Sequence, residues 1–335
     1  MTIREIEVAC DQLQRPEFGR HDVDEPELLL QCKLYPYGFP MEVRTNSAEV
    51  IALLTDMLGA FEKYFDVEPI RAEIRIIETD SNECPPPPNY RQTYPIFTAV
   101  ADKDNYLILD FATRRSYMTL SNAAMRHELY LRFFLMESVA GVHIGTSFAT
   151  AVHAGCVSFA GRGVLLCGDS GAGKSTLTFA CARAGWTYVT DDCSFLLHHG
   201  GRNLVTGNCY RARFRPNAAE FFPEVAGREL TPRAGGKPSI ELPTMQLPNI
   251  VPSQLEEVHY MVFLNRHSGG PPELVPYRKD VTRGFLRSHV SGKGKTLLNH
   301  SQAIERLLAV DVLELRYTDL DWAIARLRAL VREGR

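Results

Sequence analysis

The run Gly168-Asp169-Ser170-Gly171-Ala172-Gly173-Lys174-Ser175-Thr176 has the residue types and spacing needed to hold a polyphosphate. Gly168, Gly171 and Gly173 permit backbone turns that a Cβ forbids, so successive N–H groups can converge on an anion. The apolar run Val164-Leu165-Leu166-Cys167 precedes the loop, and Leu177-Thr178-Phe179-Ala180-Cys181-Ala182 follows it. That is the strand, glycine-rich turn and helix order of a G-x-x-x-x-G-K-[ST] phosphate loop. The helix N-terminus adds unsatisfied donors and the positive end of its dipole. Lys174 is placed to reach β- and γ-phosphates, and the Ser175 hydroxyl to take a position on Mg²⁺. The expectation is a nucleoside triphosphate site.

An acidic pair, Asp191-Asp192, ends the strand predicted after the loop's helix. In a doubly wound sheet, neighbouring parallel strands present their C-terminal ends at one edge, which would bring the pair to the γ-phosphate and metal. One carboxylate there can hold Mg²⁺, directly or through water, and the other can accept the proton of an attacking hydroxyl. The alternative is an Asp pair capping the next turn. His153, on the strand before the loop, could bind or sense a transferring group, or could be an ordinary core or surface histidine. The spacing His153-x-x-Cys156 has no second pair beside it, so zinc is not expected. Arg211, Arg213 and Arg215 alternate, which places three guanidinium groups on one face of a strand. Such a face suits phosphates or an acidic substrate, and equally a solvated surface. Lys237, in Ala234-Gly235-Gly236-Lys237-Pro238, sits in a loop able to close on a nucleotide, or in a plain surface loop. His198, His199, His267, His289 and His300 form no usable pattern.

The elements that must position these groups follow from periodicity. Residues 1–23 are polar and poorly periodic, which predicts a loose arm. Strand-like runs at 28–34 and 41–44 flank Tyr35-Pro36-Tyr37-Gly38-Phe39-Pro40, a hairpin signal. Ser47 caps a predicted helix over about 48–64, with Val50, Ile51, Leu54, Met57, Leu58 and Phe61 at helical spacing. Alternation marks a half-buried strand at 70–78, and Cys84-Pro85-Pro86-Pro87-Pro88-Asn89 then stops regular structure. Short strands near 95–101, 105–111 and 115–120 lead to a helix over roughly 123–141, ended by Gly141 and Gly145. Next come one strand from Thr150 to Phe159 and another from Val164 to Cys167. The short link Ala160-Gly161-Arg162-Gly163 joins them as an antiparallel hairpin feeding the loop. A helix over about 175–184, a strand at 186–190, strands at 194–198, 202–206, 209–214 and 258–264, and helices near 278–288, 301–308 and 319–332 complete the pattern. Two domains are expected: a small α+β region over 1–145 with no catalytic constellation, and an α/β phosphate-loop domain over 146–335.

The chain of 335 residues is long enough for a full core, and 45% hydrophobic with 23% charged residues is ordinary for a globular protein. A net charge of −3 gives no support to a nucleic-acid or membrane-surface partner. No apolar run is long enough to span a bilayer, and the charged start Met1-Thr2-Ile3-Arg4-Glu5-Ile6-Glu7 lacks a signal core. The eight cysteines lie scattered, several inside apolar runs, and read as small buried hydrophobes in a reducing cytoplasm.

Taken together, His153-Ala154-Gly155, the loop 168–176, Ala184-Gly185-Trp186 and Asp191-Asp192 resemble the catalytic domain of HPr kinase/phosphorylase. They resemble more closely its smaller relatives, some of which phosphorylate serine on a precursor peptide. The resemblance is specific over about 150–195, looser over 195–335, and does not extend to 1–145. It implies a fold shared with phosphoenolpyruvate carboxykinase, ATP with Mg²⁺, transfer to a serine hydroxyl, and oligomers of like subunits. Carried across, Lys174 holds phosphates, Ser175 the metal, Asp192 is the base and Asp191 a metal or orienting partner, with their order open to reversal. His153 then stands near the γ-phosphate. The glycine-rich segment with a glutamate metal ligand that follows the Asp pair in that family is replaced here by Tyr210-Arg211-Ala212-Arg213-Phe214-Arg215-Pro216, and the second family signature is absent. HPr as acceptor and the reverse phosphorolysis are therefore not carried over. Three readings stay open: a kinase acting on serine in a peptide or protein, a small-molecule kinase on the same core, and a non-catalytic nucleotide-dependent switch.

Overall fold

The computed structural model describes residues 4, 5, 8, 27–234, 237–266, 269–288 and 290–334. The arm expected over 1–23, including Cys10, lies almost wholly outside these, as do Gly235, Gly236, His267 and His289. Two compact units divide the chain, one of Met1–Ser147 with Pro232–Gly236 and Ser291–Lys293, the other of Phe148–Thr231, Lys237–Val290 and Gly294–Arg335.

The first unit is built on one sheet of seven strands: β1 (Leu30–Leu34), β2 (Met41–Thr45), β3 (Ile70–Ile77), β4 (Asn89–Thr93), β5 (Ile96–Val100), β6 (Tyr106–Asp110) and β7 (Arg115–Ser121), in the order β1-β2-β3-β7-β6-β5-β4. The β1–β2 hairpin is antiparallel, as its turn residues predict. β2, β3 and β7 run parallel, and the helix α1 (Ala48–Leu58) supplies the crossover between β2 and β3. Ser47 caps α1 by accepting from the Val50 N–H. Ile70, Ala72 and Ile74 are buried while Arg71 faces water, so the period-two pattern of β3 reports its burial correctly.

Two expectations fail here. The single helix over 123–141 is instead a broken series: short turns at Asn122–Met125 and Glu128–Tyr130, a wide-turn segment at Leu131–Met136, then α2 (Glu137–Ser147). Gly141 and Gly145 lie inside α2 and do not end it; burial of Val139, Ala140, His143 and Ile144 outweighs their helix cost of about 1 kcal/mol each. The tetraproline stretch is a loop, yet β4 follows it directly. That strand is mostly exposed and lacks apolar alternation, so the sequence carries no signal for it.

The second unit contains β8 (Ala149–Val152), β9 (Gly155–Phe159), β10 (Arg162–Cys167), β11 (Thr187–Thr190), β12 (Ser194–Leu197), β13 (Leu204–Gly207), β14 (Arg211–Phe214), β15 (Ile240–Pro243), β16 (Val251–Pro252), β17 (Glu256–Asn265), β18 (Glu273–Pro276) and β19 (Asp311–Arg316). Its helices are α3 (Lys174–Arg183), α4 (Lys279–Arg287), α5 (Gly294–Leu307) and α6 (Leu320–Glu333). The large sheet runs β16-β11-β9-β10-β17-β13-β12-β8, with β19 parallel to β17 and β18 beyond it, while β14 and β15 pair separately. Leu165, Cys167, Met261, Phe263 and Val312 form a core with Leu286, Ala303, Ile304 and Leu307 of α4 and α5. Alternation sends Val164 and Leu166 to the opposite face, where α3 packs on β9, β10 and β11 and meets α6.

The expected strand over 150–159 is two strands. Val152 and Cys156 belong to separate ladders, β8 pairing with β12 and β9 with β10 and β11, so the chain must bend at His153-Ala154 to serve both. The hairpin into the loop is present, tightened to the two residues Ala160 (φ 51°) and Gly161 (φ 74°). A second correction concerns the acidic strand. β11 is not the neighbour of β10; antiparallel β9 stands between them, so β11 runs in the direction of β10 one place further out. Among the described residues all seven cysteines are free thiols, and four of them are fully buried. Among the described residues no helix is long and apolar enough to cross a membrane.

Candidate active site

β10 is buried along nearly its whole length and ends at Cys167, where the backbone turns out of the sheet. Gly168 (φ 145°), Gly171 (φ 91°) and Gly173 (φ 95°) all take conformations that L side chains rarely adopt. Gly173 is the N-cap of α3, and no side chain caps that helix. The donors of its first turn are therefore left for another acceptor. Lys174 is buried, and its Nζ donates to the carbonyls of Gly168 (2.8 Å) and Asp169 (3.0 Å), folding back over the loop. Burial draws this ammonium below the ordinary lysine value, with Asp192 the first of several groups acting the other way. The uncapped helix start, the three left-handed glycines and the lysine on loop carbonyls fit a polyphosphate. Ser175, whose Oγ lies 3.5 Å from the Asp191 carbonyl, is placed to take a metal position beside it.

The acidic pair divides by environment. Asp191 is 2% exposed; its Oδ1 accepts from the Tyr188 hydroxyl (2.8 Å) and its Oδ2 from the Arg213 N–H (3.2 Å). Burial, reinforced by the charge of Asp192, pushes its carboxyl up to about 6. The Asp192 side chain is 46% exposed. Burial acts to raise its pKa as well, but the hydrogen bond from His153 and the charges of Arg213, His153 and Lys174 prevail and hold it down to about 2. Its surroundings thus favour the ionised form of Asp192, with the Lys174 charge among the causes.

His153 occupies the bend between β8 and β9, with Nδ1 3.1 Å from the Asp192 carbonyl and 3.3 Å from its Oδ1. Arg213 stands on the other side, its Nη1 3.7 Å from Asp192 Oδ2. Its Nε donates to Glu241 Oε2 (3.2 Å), and Arg211 Nη1 donates to Glu241 Oε1 (3.1 Å). Glu241, 6% exposed, thereby anchors both arginines. The structure brings Lys174, Ser175, Asp191, Asp192, His153 and Arg213 together. It does not bring Arg215: β14 ends at Phe214, and Arg215 starts a 3₁₀ turn where its guanidinium is held by the carbonyls of Lys237 and Pro238. The three arginines are therefore not one face of a strand, because the proline after Arg215 ends the ladder. Lys237 is exposed and meets Arg215 through its carbonyl.

Tyr188 and Glu241 escape a reading of motifs. Tyr188 reads as a buried aromatic in a short strand, and only its hydroxyl contact with Asp191 gives it a role. Glu241 lies opposite Arg213 in the β14–β15 register, a pairing across a long loop that no local spacing announces. Among the described residues no group of three or more His, Cys, Asp or Glu gathers as a metal cluster.

No family model matches the chain. Among curated proteins it is similar to HPr kinase/phosphorylase of Mycoplasmopsis pulmonis, with 29% identity over 93 residues, 26% of this chain and 30% of that protein. The chain spans about a third of the length of that relative. Among solved structures it is similar to the Hpr(Ser) kinase/phosphatase from Coxiella burnetii, with 16% identity and a TM-score of 0.30, over 56% of this chain and 96% of that one. The curated match agrees with the HPr-kinase-like resemblance of the sequence.

Proposed function

We propose that the chain is an ATP-dependent phosphotransferase that moves the γ-phosphoryl group to a serine hydroxyl of a peptide or protein. The observation that carries this reading is the Asp192 carboxylate, kept ionised between His153 and Arg213 and within electrostatic reach of Lys174 at an uncapped helix start. Phosphoryl transfer asks mainly for positioning and charge neutralisation, and this set of residues offers both. Magnesium, when bound, supplies neutralisation of charge between the β- and γ-phosphates.

The chain's own groups divide the remaining tasks. The amides of 169–175 and the Lys174 ammonium bind the phosphates, Lys174 exchanging its loop carbonyls for phosphate oxygens. Ser175 holds the metal, with Asp191 beside it as metal or orienting group. Asp192 accepts the hydroxyl proton as the acceptor oxygen bonds to phosphorus and the bond to the β-phosphate oxygen breaks. With a pKa near 2 it is a weak base, so its main contribution is to aim the hydroxyl. His153 and Arg213 keep Asp192 in place.

The test is transfer of labelled phosphate from Mg-ATP to a library of serine peptides by the full chain. Asp192→Asn is expected to lower transfer by roughly a hundredfold or more, with nucleotide still bound; Lys174→Ala is expected to lose nucleotide affinity as well. Normal transfer by Asp192→Asn sinks the assignment of the base. Transfer to a metabolite but no peptide moves the reading to a small-molecule kinase, and binding without transfer moves it to a switch.

A further inference from the structure

β17 runs parallel to β10 with Phe263 opposite Cys167, so both strands release the chain at the same edge of the sheet. One strand leads into the phosphate loop, and the other leads into Arg266. The Arg266 Cδ lies 3.8 Å from the place a Cβ would occupy on Gly173, the N-cap of α3. Its guanidinium carbon stands 5.2 Å from the centroid of the Phe221 ring. Among the described residues no carboxylate pairs with it, in contrast to Arg211 and Arg213, which share Glu241. Against the same glycine, 3.2 Å from that Cβ position, is the hydroxyl of Tyr317. That oxygen is buried with no hydrogen-bond partner among the described residues. A cation without a counter-ion and an orphaned hydroxyl thus flank the start of the helix whose free donors face the loop.

A guanidinium over a phenyl ring is held weakly, whereas a bidentate pair with a phosphate is among the strongest contacts a side chain makes. We propose that Arg266 is a second cation of the nucleotide site, supplied by the strand beside the phosphate loop, which leaves the Phe221 ring to pair with the polyphosphate on loading. This rests on the nucleotide reading above. It adds a residue outside the loop and the aspartate pair, and it gives Phe221 the task of holding the side chain when no nucleotide is bound.

The test is calorimetric titration of Mg-ATP and Mg-ADP into the full chain, with thermal unfolding of each variant without nucleotide. Arg266→Gln is expected to bind both nucleotides roughly ten- to a hundredfold more weakly at unchanged melting temperature. Phe221→Leu is expected to bind them as tightly as the unmodified chain or tighter, because the parked state is lost. Unchanged affinity in Arg266→Gln overturns the proposal, as does an equal loss of affinity and melting temperature in both variants, which is the mark of a packing pair. Lys174→Ala separates the two layers. If it too binds normally, the nucleotide site itself is wrong; if it loses binding while Arg266→Gln does not, only the role of Arg266 falls.

Discussion

His300→Gln should make the second unit resist acid better than the unmodified chain does. His300, on α5, is buried, with Nδ1 2.8 Å from Thr150 Oγ1 and 3.2 Å from His198 Nε2, while its Nε2 has no partner among the described residues. Burial lowers its pKa from 6.5 to about 4. The folded state therefore binds fewer protons than the unfolded one between those values. The stability at stake is fully present above pH 6.5, is lost as pH falls, and levels out below about 4. At 1.36 kcal/mol per unit, the loss between pH 7.5 and 4.5 is roughly 2 to 3 kcal/mol. Glutamine keeps a hydrogen bond to Thr150 and cannot titrate. The variant should lose about 1 kcal/mol at pH 7.5 through the altered network, overtake the unmodified chain a little below pH 6, and lead it by about 1 to 2 kcal/mol at pH 4.5. Urea unfolding read by tryptophan fluorescence isolates the effect, because both tryptophans, Trp186 and Trp322, belong to the second unit. His143, also lowered to about 4, lies in the first unit and is the same in both proteins, so its contribution cancels in the comparison. Parallel pH curves for the two proteins would refute the reasoning, since they would mean that His300 takes its proton without strain. The link to function runs through β8, which carries Thr150 and leads to His153: loosening α5 from β8 loosens the histidine that holds Asp192.

Arg213→Gln should leave the buried Glu241 with Arg211 as its remaining arginine and cost roughly 2 kcal/mol or more; the Asp192 carboxyl should rise from about 2, followed by carboxyl NMR, and an unchanged titration would remove Arg213 from the account. Gly155→Ala should cost about 1 to 3 kcal/mol, because a Cβ there meets Thr178 Oγ1 at 2.2 Å. Adding Thr178→Ala should recover most of that loss in chemical unfolding, and a double variant as unstable as the single would place the strain elsewhere. Asp192→Asn and Lys174→Ala, above, separate transfer from nucleotide binding in one assay.

Local chemistry was the legible part of the site. The glycine spacing at 168, 171 and 173, with Lys174 next, announces the loop because only glycine takes those backbone angles cheaply. Asp191 and Asp192 are legible as a pair, but not their division: burial among Tyr188 and the Arg213 amide sets one apart from the other, and no spacing encodes it. α6 was legible within a residue at either end, and α1 at its capped start, although α1 stops at Leu58 rather than near 64 and leaves Phe61 outside it. β4, β15, β16 and β18 were not, since short or exposed strands carry too few alternations to stand out.

The sequence by itself determined the glycine-rich turn ahead of a helix, the hairpin that feeds it, the acidic pair and the ladder of alternating residues in β3, because each depends on residues close together in the chain. Only the tertiary structure decided that β9 separates β10 from β11, that the chain bends at His153, and that Glu241 and Arg266 join the neighbourhood of the site. Those outcomes depend on which strands pair, and pairing is settled by burial and hydrogen bonding summed over the whole sheet rather than by any one stretch of residues.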